Sequence, residues 1–138
     1  MDNKITLKII SKSDHQFLYD LLLERDPKAN ISHKKMPTFT EHLKFVKSKP
    51  YSKWYVILKE EQKIGSIYLS KNDEIGIFLD KSIQGKGFGQ LALEQLMKKN
   101  PKKRYLANVN PKNKKSVKFF TQNKFKLIQH TYELINSE

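Results

Sequence analysis

An α+β domain on one mixed sheet follows from three observations: alternating apolar runs crowd the middle of the chain, amphipathic helical stretches flank them, and only short polar turns intervene. The order of elements reads β-α-α-β-β-β-α-β-α-β. At 138 residues, a single domain spanning 1–138 buries a core without disulfide or metal staples.

Ile5, Leu7 and Ile9 alternate with polar neighbours and predict a first strand ending near Ser11. Ser13 reads as an N-cap, and Phe17, Leu18, Leu21 and Leu22 recur at helical spacing until Asp26-Pro27. The segment 27–37 lacks a period and reads as a loop or short irregular helix. Thr38 or Thr40 caps a second helix through Leu43 and Val46 that stops before Pro50. Strand patterns at Trp54–Lys59, Lys63–Ser70 and Glu74–Asp80 form an antiparallel meander. A helix from Phe88 to Asn100-Pro101, a strand Arg104–Val109, a basic helix Lys114–Gln122 and a last strand region Phe125–Leu134 complete the chain.

Composition narrows the function classes. The chain has no cysteine, which excludes a disulfide framework, a thiolate metal site and a cysteine nucleophile, and agrees with a reducing cytoplasm. No apolar run approaches membrane-spanning length, so a soluble protein is expected. The net charge of +13 invites a nucleic-acid reading, but nearly all of it is lysine spread along the chain. The only arginines are Arg25 and Arg104. A solvated basic surface is favoured over nucleic-acid binding, with some charge left to serve an anionic ligand.

The stretch Gln84-Gly85-Lys86-Gly87-Phe88-Gly89 carries the most chemistry. Three glycines between a strand and a helix let the backbone approach a ligand closely, and the helix start aims unpaired N–H groups at an anion. A triphosphate loop needs Ser or Thr after Gly-Lys, where Gly87 stands. A dinucleotide fingerprint needs glycine at Gln90 and an acidic residue some 20 positions on, yet none lies between Glu94 and Glu133. A plain glycine turn capping a strand is the remaining alternative.

Twenty-four residues after Gly89, Asn113 opens the next helix, with Ser116, Phe119 and Phe120 at helical intervals and Phe125 beginning the following strand. Gln84-x-x-Gly87-x-Gly89 with Asn113-x-x-Ser116-x-x-Phe119-Phe120 resembles the GNAT superfamily of acetyl-CoA-dependent N-acetyltransferases, in element order over nearly the whole chain. The resemblance implies that backbone N–H groups of Gly85, Lys86, Gly87, Phe88, Gly89 and Gln90 hold the coenzyme A pyrophosphate. It also implies that Asn113 bonds the pantetheine arm, that Phe119 or Phe120 lies beside it, and that the strand before the turn splays from 104–109. A main-chain N–H near Ile77, Phe78 and Leu79 would polarise the acetyl carbonyl.

Direct attack by an amine on the thioester is the mechanism implied, and it fits the missing cysteine. Glu74 is the candidate base, with an exposed turn carboxylate as the plain alternative. Asp80 more plausibly shapes the loop, and His130 and Tyr132 are weaker candidates. Many relatives carry tyrosine where Phe120 falls, and phenylalanine cannot donate a proton, so the acid is unassigned. Candidates for acceptor binding are His33, Glu41, His42, Tyr51 and Trp54. The stretch from His33 to His42 is similar to small acetyltransferases acting on amino-sugar nucleotides, and the basic charge favours an anionic small molecule over a protein or peptide amine. No metal is expected, and the pattern allows a monomer or a homodimer.

Overall fold

The computed structural model describes residues 4–25 and 36–136; His33 and most of the expected loop lie outside them. Four antiparallel strands run in the order β1-β2-β3-β4: β1 (Ile5–Ile9), β2 (Tyr51–Lys59), β3 (Gln62–Ser70) and β4 (Ile75–Leu79). Four helices accompany them: α1 (His15–Glu24), α2 (Phe39–Lys47), α3 (Phe88–Lys99) and α4 (Lys114–Gln122).

Strand alternation divides the sheet into two faces. Leu7, Tyr55, Ile57, Ile67, Leu69 and Ile75 form one buried cluster with Ala92, Leu93 and Leu96 of α3, which show no exposed surface at all. Trp54, Ser66 and Tyr68 occupy the opposite face, where the Trp54 indole N–H donates to Ser66 Oγ at 2.8 Å. Phe45 of α2 meets Trp54 and Tyr51 edge-on. α2 starts at Thr38, whose hydroxyl accepts from the Glu41 N–H while the Glu41 carboxylate accepts from the Thr38 N–H.

Asp14 ties the N-terminal strand to the sheet. Its fully buried carboxylate meets Lys8 of β1 at 2.8 Å, Lys63 of β3 at 2.7 Å and the Ser11 N–H at 2.8 Å. Burial alone would push its pKa up, but the bonds from Lys63, Lys8 and Ser11 outweigh it and hold the carboxyl at about 2, below the ordinary 3.8.

Two expected strands are not regular strands. Segment 104–109 makes a single parallel bridge, Glu74 with Leu106, through Ile75 N–H to Leu106 O at 2.7 Å and Leu106 N–H to Asp73 O at 2.9 Å. Beyond the bridge it diverges from β4, the expected splay, so no ladder can continue. Phe125–Leu134 forms no strand: Phe125 N–H donates to Phe120 O at 2.9 Å, and from Lys126 on the backbone makes no hydrogen bond to another described residue. Boundaries also differ: β2 starts at Tyr51, where it pairs with Ser70, and α1 starts at His15 after a 3₁₀ turn at Lys12–Asp14.

Because the Asp14 pKa is lower folded than unfolded, its contribution is complete above 3.8 and disappears as pH falls towards 2. Asp14→Asn is expected to cost about 2 kcal/mol at neutral pH and to flatten the acid limb of the stability profile, read by urea unfolding between pH 2 and 7.

Candidate active site

A cleft of about 1580 Å³ crosses the sheet at the fork between β4 and segment 107–110. On one side it is lined by the glycine turn and by Asn113, Ser116 and Phe119 around α4; on the other by Arg25, Tyr51, Tyr68 and Phe78.

The turn follows from two backbone conformations. Gly85 and Gly87 have φ of +80° and +86°, and a Cβ on either would point into open space. Strain at these two positions is therefore purely conformational. Gly87 caps α3, so the N–H groups of Phe88, Gly89 and Gln90 lie in the first helical turn, where no residue four positions earlier can accept from them. Gln84 Nε2 donates to Leu79 O at 3.0 Å and pins the turn to the end of β4. Asp80 accepts from the Ser82 N–H and hydroxyl at 2.9 and 2.8 Å, which lowers its pKa, so its role is to shape the loop. Lys81, Lys115 and Lys118 add positive charge to this half.

Hydrogen-bond parity orients β4. Ile75 donates towards Leu106, whereas Asp80 donates to Ile64 O on the β3 side at 2.9 Å. Alternation then turns the Ile77 and Leu79 N–H groups into the fork. Glu74, Gly76 and Phe78 share the opposite parity and one face of the strand.

Glu74 sits at the base of the fork with both carboxylate oxygens held. Oε1 accepts from the Ser70 hydroxyl at 3.1 Å, and Oε2 accepts from Asn108 Nδ2 at 2.6 Å. The Tyr68 ring lies over Gly76 so closely that a Cβ there would overlap it. Tyr51 stacks on Tyr68 with centroids 3.7 Å apart. Burial raises the pKa of both phenols, which stay protonated. The Arg25 guanidinium lies 4.6 Å from the centre of the Phe78 ring. Burial lowers its pKa, yet arginine keeps its charge in proteins.

Glu74, Ile77, Phe78, Leu79, Gln84, Gly85, Gly87, Gly89, Gln90, Asn113, Phe119 and Phe120 all line the cleft. Lys86 and Phe88 do not; Phe88 is buried in the core with the Lys59 ammonium over its ring. Asn113 caps α4, its side chain accepting from the Ser116 N–H at 3.3 Å. Phe120 is buried against Phe119 and Phe125. Of the acceptor candidates among the described residues, Tyr51 lines the cleft and Glu41, His42 and Trp54 do not. Glu41 caps α2, Trp54 bonds Ser66, and His42 is buried between Tyr19 and Phe45, where burial lowers its pKa. His130 and Tyr132 stack on each other in the exposed C-terminal segment.

Sequence reasoning missed Arg25, Tyr68, Ser70 and Asn108. Arg25 carried a signal as one of two arginines in a lysine-rich chain, and Ser70 and Glu74 flank one turn. Tyr68 and Asn108 become visible only through register. Among the described residues no three His, Asp or Glu side chains come together to hold a metal ion, and no helix is long and apolar enough to cross a membrane.

The sheet, its fork and the glycine turn at a helix start define an acyl-transfer fold built around a coenzyme. The family model "Acetyltransferase (GNAT) family" matches residues 15–125, and the chain belongs to that family, whose members are acetyl-CoA-dependent N-acetyltransferases. Solved structures agree on the fold. A domain from Methanocaldococcus jannaschii DSM 2661 superposes with a TM-score of 0.81 at 23% identity, covering 96% of this chain and 94% of that one. The spermidine/spermine N-acetyltransferase SpeG from Vibrio cholerae gives 0.74 at 18% identity, covering 98% and 88%. RimL, a ribosomal L7/L12 alpha-N-protein acetyltransferase in complex with coenzyme A, gives 0.71 at 20% identity, covering 93% and 83%. A search of curated protein sequences returned no match.

Gly87→Glu forces a side chain into left-handed backbone and sets a carboxylate at the helix start. It is expected to cost about 1–2 kcal/mol of stability. It should also abolish the stabilisation of about 2.7 kcal/mol that acetyl-CoA at about 100 times its Kd gives a binding protein, read by thermal shift.

Proposed function

We propose that this enzyme acetylates the primary amine of a small acceptor that also carries an anionic group, such as an amino-sugar nucleotide. The observation that carries the reading is the pair of opposite charges on one side of the cleft. Glu74 stands at the start of β4, and Arg25 lies over Phe78, four residues along the same face, about 13 Å away at the usual strand rise. Tyr68 covers the bare backbone of Gly76 between them. An acceptor with its amine towards Glu74 and its anionic group towards Arg25 matches this order of charges. SpeG is named for spermidine and spermine and RimL for a protein N-terminus. A polyamine would bring cations against Arg25, which weighs against that class here.

The glycine turn fits a pyrophosphate: its two left-handed glycines are open to space, and three unpaired N–H groups and three lysines face the same half of the cleft. Asn113 stands beside the path of the pantetheine arm while capping α4. Bound acetyl-CoA supplies the activated acetyl group. Ile77 N–H, turned into the fork, donates to the carbonyl oxygen as negative charge develops there. Glu74, positioned by Ser70 and Asn108, takes the amine proton directly or through water as the N–C bond forms and the C–S bond breaks.

Glu74→Gln is expected to lower kcat/KM by about 10²–10⁴-fold. Unchanged activity across pH would remove Glu74 from the base role. An acceptor screen by thiol release should favour amino-sugar nucleotides over polyamines and peptides. Arg25→Met should raise KM for the anionic acceptor and leave KM for acetyl-CoA unchanged. Preference for a peptide amine would overturn the small-molecule reading while leaving acetyl transfer intact.

A further inference from the structure

Gly76 has no conformational reason to be glycine. Among the described glycines only Gly85 and Gly87 have positive φ, whereas Gly76 lies within β4 and pairs in register with Tyr68 of β3. Glycine weakens a strand, because it packs no side chain and loses more freedom on folding than any other residue. What forbids a side chain here is the phenol end of Tyr68: a Cβ on Gly76 would overlap its Cζ, its Cε2 and its hydroxyl oxygen. The bare backbone lets that hydroxyl settle one residue from Ile77.

Three further rings hold the phenol in place. Tyr51 stacks on it with planes 3° apart, Trp54 meets it edge-on at 6.5 Å, and Phe78 tilts against it at 6.4 Å. Tyr68 pairs with Trp54 of β2 on one side and with Gly76 on the other, so the register of three strands sets its position. Burial raises the phenol's pKa, Arg25 opposes the rise and Glu74 adds to it, so both charges reach a hydroxyl that stays neutral.

Resting on the acetyl-transfer reading above, we propose that the Tyr68 hydroxyl receives the acceptor's amine and selects primary amines. A neutral amine on this face can donate one N–H to the phenol oxygen and keep its lone pair free for the carbonyl carbon that Ile77 N–H polarises. As the N–C bond forms the nitrogen turns cationic, and the hydrogen bond to Tyr68 strengthens with it. The C–S bond breaks, the thiolate leaves with the electron pair, and the second N–H gives its proton to Glu74, two residues back on the same face, directly or through water. Tyr68 keeps its own proton throughout. A primary amine has two N–H bonds, one for each partner; a secondary amine has only one.

Thiol release from acetyl-CoA, with an amino-sugar nucleotide and its N-methyl analogue as acceptors, tests the assignment. Tyr68→Phe keeps the ring, so the KM for acetyl-CoA and the thermal stabilisation by it should match wild type. Its kcat with the primary amine should fall about 10–100-fold, the worth of a hydrogen bond to a charged group. Turnover of the N-methylated amine should hardly change, so the preference for the primary amine collapses. Gly76→Ala displaces the hydroxyl from the opposite strand and should collapse the same preference with Tyr68 intact. A Tyr68→Phe variant with wild-type kcat overturns the inference, and if Glu74→Gln is impaired beside it the base assignment survives. An equal loss for both amines also overturns it, because the phenol would then serve packing alone. Should a peptide amine prove the better acceptor, that peptide and its N-methyl form decide the role of Tyr68 by the same comparison.

Discussion

The parallel bridge between Glu74 and Leu106 is the constraint on which the rest of the site depends. Two backbone hydrogen bonds hold β4 and segment 104–109 together at one point, and beyond it the strands part. The fork leaves backbone donors of β4 without strand partners, which is tolerable only where water or a ligand reaches them. It also opens the sheet from face to face, so that two molecules can approach one point from opposite sides. Glu74 belongs to both arms of the fork: its backbone is in the bridge, and its side chain is gripped by Ser70 before β4 and by Asn108 on the other arm. Position of the carboxylate is thus a property of the fork itself.

The two halves of the cleft are built from different physics. One half presents backbone: left-handed glycines and a helix start, which offer donors without side chains and at fixed distance. The other half presents side chains on the opposite face of the sheet, with stacked Tyr51 and Tyr68, the Phe78 ring and the Arg25 guanidinium. Aromatic packing supplies a low-dielectric wall against which charges act over a longer range than they would in water.

That division explains what was legible in the sequence. Glycine positions and the Asn113 spacing are local, so the turn and both flanking helices could be read directly. The meander and its helices followed from periodicity, and even the splay was expected. Acceptor residues are assembled by register: Tyr68 reaches Gly76 because the two are paired across β3 and β4, and Asn108 reaches Glu74 across the fork. Glu41, His42 and Trp54 carry polar chemistry that capping and packing absorb. The last strand was misread for the same reason, since a strand pattern states readiness to pair and not with which backbone.

Phe120 takes a different meaning in this setting. Where a tyrosine would offer a proton to the departing thiolate, this chain buries a phenyl ring between Phe119 and Phe125. A thiol with an ordinary pKa of about 8.5 leaves readily as its anion compared with an alkoxide or an amine, so the step asks little of an acid. The proton that must be managed is the amine's, and Glu74, the proposed base, is held by two hydrogen bonds. Packing gains from the exchange: Phe119 closes on Gly89 at 3.0 Å of where a Cβ would stand, and Phe120 fixes α4 to the core beside it. The aromatic pair therefore holds the coenzyme's two helices together, a role that a phenol seeking a hydrogen-bond partner would fill less well.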